Sequence, residues 1–174
     1  VLQELLDTEQ GTPQASAMDS FIHTLLFSDS NSYPTEFINY HLAGLGWKEQ
    51  DSFYVILFSD MFRGKQPRQY APEHIHKWFP DSYCLEIKDR LMAIVRADPD
   101  ELESISGTLA ELVRDSVMKC GISAPSPTFL GIRYAYRQAE AALSIGEMLD
   151  PTFWSYKYED YCVEHIVSYA LKSV

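Results

Sequence analysis

The sequence predicts an α+β sandwich: a mostly antiparallel sheet with helices packed on it, preceded by helices at the N-terminal end. Three observations carry this expectation. Residues 52–59 form a nearly continuous apolar run rich in aromatic and branched side chains, as expected of a central strand buried on both faces. Residues 82–87 and 90–96 are two short apolar runs separated only by Lys88-Asp89, the pattern of an antiparallel hairpin. Segments of helical periodicity surround these runs, so that the centre spells β-α-β-β-α-β, the unit of ferredoxin-like folds.

In chain order, residues 1–6 are apolar at helical spacing and residues 8–16 are rich in Gly, Pro, Gln and Ser. Residues 1–16 are therefore expected to be the remnant of an upstream helix and a linker, with the domain itself over 17–174. Met18, Phe21, Ile22, Leu25 and Leu26 share one helical face, predicting a helix over 18–27. A second helix is expected from Pro34, whose fixed φ suits a first turn, to Leu45, with Gly44 or Gly46 stopping it.

After the central strand comes a polar loop with Gly64 and Pro67, then a short helix over 72–79 that Pro80 ends. Lys-Asp is not a favoured pair for a two-residue turn, so the residue types leave the hairpin tip geometry open. Asp98-Pro99-Asp100-Glu101 combines a capping Asp, Pro at the first helical position and Glu three residues after the cap. It predicts a helix to Met118 whose face holds Leu102, Ile105, Leu109, Leu112, Val113 and Val117. A short strand over 119–123, a helix over 128–146, an edge strand over 152–156 and a closing helix over 159–171 complete the chain. On the 128–146 helix, Ala135, Ala139, Ala142 and Gly146 supply small side chains that permit close approach to a sheet.

Composition limits the function. With 14 basic against 25 acidic residues the formal charge is −11, and no Lys/Arg run exceeds two. Such a surface repels phosphate backbones, so the chain alone is not expected to bind nucleic acid. It has no apolar run long enough to span a membrane and no signal-peptide pattern at its start, which predicts a cytoplasmic location without membrane contact. Three widely spaced cysteines, Cys84, Cys120 and Cys162, fit free thiols better than a disulfide framework or a zinc site.

Gly121-Ile122-Ser123, followed by Leu130-Gly131-Ile132-Arg133-Tyr134-Ala135-Tyr136-Arg137-Gln138-Ala139-Glu140-Ala141-Ala142-Leu143, resembles a pattern in bacterial PucR/CdaR-type transcriptional regulators. There a "GIS" strand precedes a helix reading roughly "ayrqAeaAl". The helix containing Phe21 and Phe27, the turn Leu45-Gly46-Trp47, the strand from Asp89 to Val95 and the stretch Tyr158-Glu159-Asp160-Tyr161 match in the same order. The resemblance implies a GGDEF-like, nucleotide-cyclase-like middle domain between a sensory region and a C-terminal helix-turn-helix domain beyond Val174. It thus implies partners within the same protein, and a homodimer is expected.

Active diguanylate cyclases need Mg²⁺-holding carboxylates and a Gly-Gly hairpin tip that lets backbone approach the nucleotide. Here the tip is Ile87-Lys88-Asp89-Arg90, and of the strand-end carboxylates only Asp60 stands near the required place. No catalytic residue, metal ligand or cofactor is therefore assigned. His74 and His76 are two apart, on opposite sides of a helix, and lack a third ligand. The carboxylates of Asp98, Asp100 and Glu101 are accounted for by capping. His23, His41 and His165 have no recognisable nucleophile partner. Tyr134, Tyr136, Tyr156, Tyr158 and Tyr161 are read as core residues with polar tips, or else as an interface. The expected function is a non-catalytic regulatory and dimerisation domain relaying a signal to a separate DNA-binding domain. The alternative is a module that binds a nucleotide or metabolite in the old cyclase cleft.

Overall fold

The computed structural model describes residues 13–28, 32–59, 71–116 and 118–172. Helix α1 (Pro13–Phe27) begins five residues before Met18, so part of the segment expected to be linker is helical. The reason is local: Pro suits a first turn, and Ala15 and Ala17 are strong helix formers. Helix α2 (Thr35–Leu42) gives way to a 3-10 turn (Ala43–Leu45), and of the two candidate stops it is Gly46, at φ 68°, that ends it.

Strand β1 (Phe53–Phe58) is buried at every position. Helix α3 (Ala71–Trp78) leads to the hairpin of β2 (Ser82–Ile87) and β3 (Arg90–Arg96), whose bounds coincide with the two apolar runs. The next helix opens with a 3-10 turn over Pro99–Glu101 before α4 (Leu102–Ser116), and β4 (Cys120–Ile122) follows. A second 3-10 turn (Phe129–Gly131) enters α5 (Ile132–Leu149), which runs three residues past Gly146. Strand β5 (Ser155–Lys157) and α6 (Tyr158–Lys172) close the described chain.

The sheet order is β2-β3-β1-β4-β5. β1 pairs antiparallel with both β3 and β4, and β2 with β3, as the ferredoxin-like unit requires. β5 adds a fifth strand parallel to β4. Alternation of side chains across the pleat splits the core into two layers. Phe53, Val55, Leu57, Leu85, Ile87, Met92 and Ile94 meet α1, α2 and α5 on one face. Tyr54, Ile56, Phe58, Ala93, Val95, Cys120 and Ile122 meet α3 and α4 on the other, where Ile75, Ile105, Leu109, Leu112 and Val113 are buried.

Gly121 on β4 and the small face of α5 make a close helix-to-sheet contact. A Cβ at Gly121 would collide with the Ala139 carbonyl oxygen and come within 2.8 Å of Leu143. Gly146 sits against the Tyr156 ring of β5 in the same way, the close approach expected of the small face of α5. Ser123 finishes the junction: its hydroxyl accepts from the Val55 amide at 2.9 Å, while its own amide donates to the Val55 carbonyl at 2.9 Å. A backbone donor of the central strand is thus satisfied by a side chain beyond the end of β4.

Candidate functional site

The two ends of the sheet carry different chemistry. At the end where β1 finishes, the hairpin closes through Lys88 and Asp89, with Ile87 opposite Arg90. Both tip residues have positive φ, 48° and 63°. A two-residue turn of this twist requires that conformation, and it is why Asn and Gly are usual there. Asp tolerates it, whereas Lys adopts it at a cost of about 1 kcal/mol. Asp60 and the loop with Gly64 and Pro67 lie outside the described residues.

The tip is tied to α1. Lys88 Nζ lies 4.9 Å from the centre of the Phe27 ring, and Phe27 meets Tyr136 of α5 edge-on at 6.0 Å. Arg133, also on α5, donates through Nε to the Leu25 carbonyl at 2.9 Å and through Nη2 to the Ser28 carbonyl. These are carbonyls that the end of a helix leaves without intrahelical partners, and α1 has no basic residue in its last turn to serve them. Farther back, Tyr83 of β2 donates to Asp19 Oδ1 at 2.9 Å. No local sequence signal reveals the role of Arg133, because its acceptors are more than a hundred residues away.

At the opposite end, Arg96 is a hub. It reaches Asp81 Oδ2 through Nε at 2.6 Å and Nη2 at 2.5 Å, and Asp51 Oδ2 through Nη1 at 3.3 Å. Trp47 Nε1 donates to Asp81 Oδ1 at 2.5 Å, and its ring packs on Phe53 at 5.2 Å. The hydrogen bond from Arg96 to Asp81 raises the guanidinium pKa above its ordinary value, so the charge is fixed. Around this hub lies a cavity of about 490 Å³ lined by Gln50, Asp51, Ser52, Asp81, Arg96, Ala97, Asp98 and Glu101. It lies at the end of β3 opposite the Lys88-Asp89 tip.

The remaining candidates do not converge. Glu101 Oε2 accepts from the Asp98 amide at 3.1 Å, the reciprocal arm of a capping box. Among the described residues no group of three His, Cys, Asp or Glu could hold a metal ion. His76 Nδ1 faces Ser82 Oγ at 3.3 Å; the side chain of His74 lies outside the described residues. His41 stacks on Phe21 at 4.2 Å, His23 lies against Phe27, and His165 Nδ1 is 3.1 Å from the Tyr158 hydroxyl. Of the five tyrosines, Tyr136, Tyr156 and Tyr161 are core residues, Tyr158 is half-buried and Tyr134 faces solvent. The core reading therefore holds for Tyr136, Tyr156 and Tyr161.

Among the described residues no helix is long and apolar enough to cross a membrane. No curated protein matches the chain. A family model described as a GGDEF-like domain matches residues 30–145, most of the chain.

Proposed function

The chain belongs to the GGDEF-like domain family, and on that premise we propose that it is a non-catalytic regulatory domain of a PucR/CdaR-type transcriptional regulator. It relays an upstream signal to a separate DNA-binding domain. The observation that carries this reading is the use made of the hairpin end of the sheet. Where a cyclase needs a glycine pair so that backbone can approach the nucleotide, this chain has a tight Lys88-Asp89 turn whose lysine engages Phe27 of α1. Arg133 closes the end of the same helix. The hairpin tip that would approach a nucleotide in a cyclase here contacts the end of α1, a helix whose apolar face is buried in the core, and a helix packed on the sheet at that end is a natural input for a signal.

The formal charge of −11 supports the division of labour, since an acidic domain leaves DNA contact to another segment. The reading is tested by incubating the chain with GTP and Mg²⁺ and assaying for cyclic dinucleotide and pyrophosphate. No turnover is expected, and product formation abolished by Asp60→Ala would overturn it. It also expects an amphipathic helix pair with a basic second helix in the same polypeptide; a full-length protein without a DNA-binding element would remove the transcriptional part.

A further inference from the structure

Helix α6 has two apolar faces. Tyr158, Tyr161, His165 and Ser168 recur at the spacing of one face, and Tyr161 is buried, its hydroxyl donating to Asp150 Oδ2 at 2.8 Å. On the opposite side Val163 (65% exposed), Ile166 (65%), Val167 (51%), Ala170 and Leu171 (73%) form a contiguous stripe that nothing among the described residues covers. Single exposed apolar residues are ordinary, but a stripe along a helix already anchored by its other face is the pattern of a helix meant to be covered on both sides.

We propose that this stripe docks against the same stripe of a second copy of the chain, with the two α6 helices antiparallel about a twofold axis. Charge placement selects this occupant and orientation. Glu159, Asp160 and Glu164 all lie in the first half of α6, whereas residues 165–171 contain no Asp, Glu, Lys or Arg. Antiparallel self-pairing sets each acidic half beside an uncharged one, while parallel pairing would bring three carboxylates against their copies. A basic partner would find carboxylates at one end only. The stripe exposes roughly 500 Å² per copy, so a twofold contact buries about 1,000 Å², the scale of a reversible interface and not a permanent one. The surface argument stands on α6; its meaning as a coupling between two regulators rests on the function proposed above.

Sedimentation of the chain from low micromolar to several hundred micromolar should show a reversible monomer and dimer. Val163→Glu and Ile166→Glu should each weaken the dimer at least about tenfold, with unchanged circular dichroism and melting, because both positions are exposed. On a Cys162→Ser background, mixing Val163→Cys with Ala170→Cys under oxidised glutathione should give mainly the mixed disulfide. Preferential Val163→Cys self-crosslinking would overturn the antiparallel arrangement. A dimer that survives both glutamate substitutions would overturn this surface while leaving a dimeric regulator standing. A chain that stays monomeric throughout, even where Val163→Glu improves solubility, would assign the stripe to some other partner and overturn the proposal.

Discussion

Arg133 of α5 closes the C-terminal end of α1, donating to the carbonyls of Leu25 and Ser28 from a position 108 residues along the chain from Leu25. Charge-assisted bonds to half-buried carbonyls contribute about 1.5–3 kcal/mol. Arg133→Ala should therefore lower the urea unfolding free energy by about 2 kcal/mol and speed amide exchange in the last turn of α1. Arg133→Lys should recover only part, since one ammonium cannot reproduce the planar fork. Unchanged exchange in α1 would show that other contacts hold the helix.

Gly121 and Gly146 should tolerate no side chain. The backbone of Ala139 stands in the way at one and the Tyr156 ring at the other. Gly121→Ala and Gly146→Ala should each destabilise by about 1–3 kcal/mol through overpacking, lowering Tm by about 2–4 °C per kcal/mol. Gly107, on the exposed side of α4 with open space around it, is the internal contrast. Gly107→Ala should stabilise by about 0.5–1 kcal/mol, because a helix interior favours Ala.

Stability should fall on the alkaline side. Burial pushes the Cys84 thiol up to about 12. Burial, then the neighbouring Glu140, pushes the Tyr136 phenol up to about 12. Tyr83, Tyr161 and Cys120 are raised in the same direction, chiefly by burial. A group whose folded pKa lies above its unfolded value keeps its proton longer in the folded state. Its contribution is complete below the ordinary values of 9.0 and 10.0 and is lost as pH rises through about 12. Urea midpoints should decline across this window, and Tyr136→Phe should flatten part of the slope.

The three thiols should separate by access. Cys120 is buried and Cys84 is raised by burial, while Cys162 on α6 is half-exposed. An aromatic disulfide reagent should modify Cys162 in the native chain and the other two only after unfolding. Cys162→Ser should leave native labelling near zero; fast labelling of Cys84 would show that β2 opens.

Much of the candidate site was legible as residue types but not as relationships. Lys88-Asp89 was visible as a hairpin tip, because two apolar runs separated by two residues leave no other local solution. Its double left-handed conformation and its link to Phe27 were not, since neither residue is a usual one for that turn. Spacing alone predicts a cap over Asp98 to Glu101, and the Glu101 carboxylate does close on the Asp98 amide. The order of Arg96, Asp81, Asp51 and Trp47 gave no sign of a hub, as each reads singly as a surface charge or a core aromatic.

The amino-acid sequence by itself determined the strands of the hairpin, the burial of β1 and the small face of α5. These depend on period and side-chain size, which are local properties of the chain. Only the tertiary structure decided that β5 runs parallel beside β4, that Ser123 completes the central strand, that Tyr156 is the ring set against Gly146 and that no described residue covers one face of α6. Each of these relates residues distant in sequence or depends on what stands opposite. No local pattern can encode that, because the distance is set by the packing of the whole sheet and its helices.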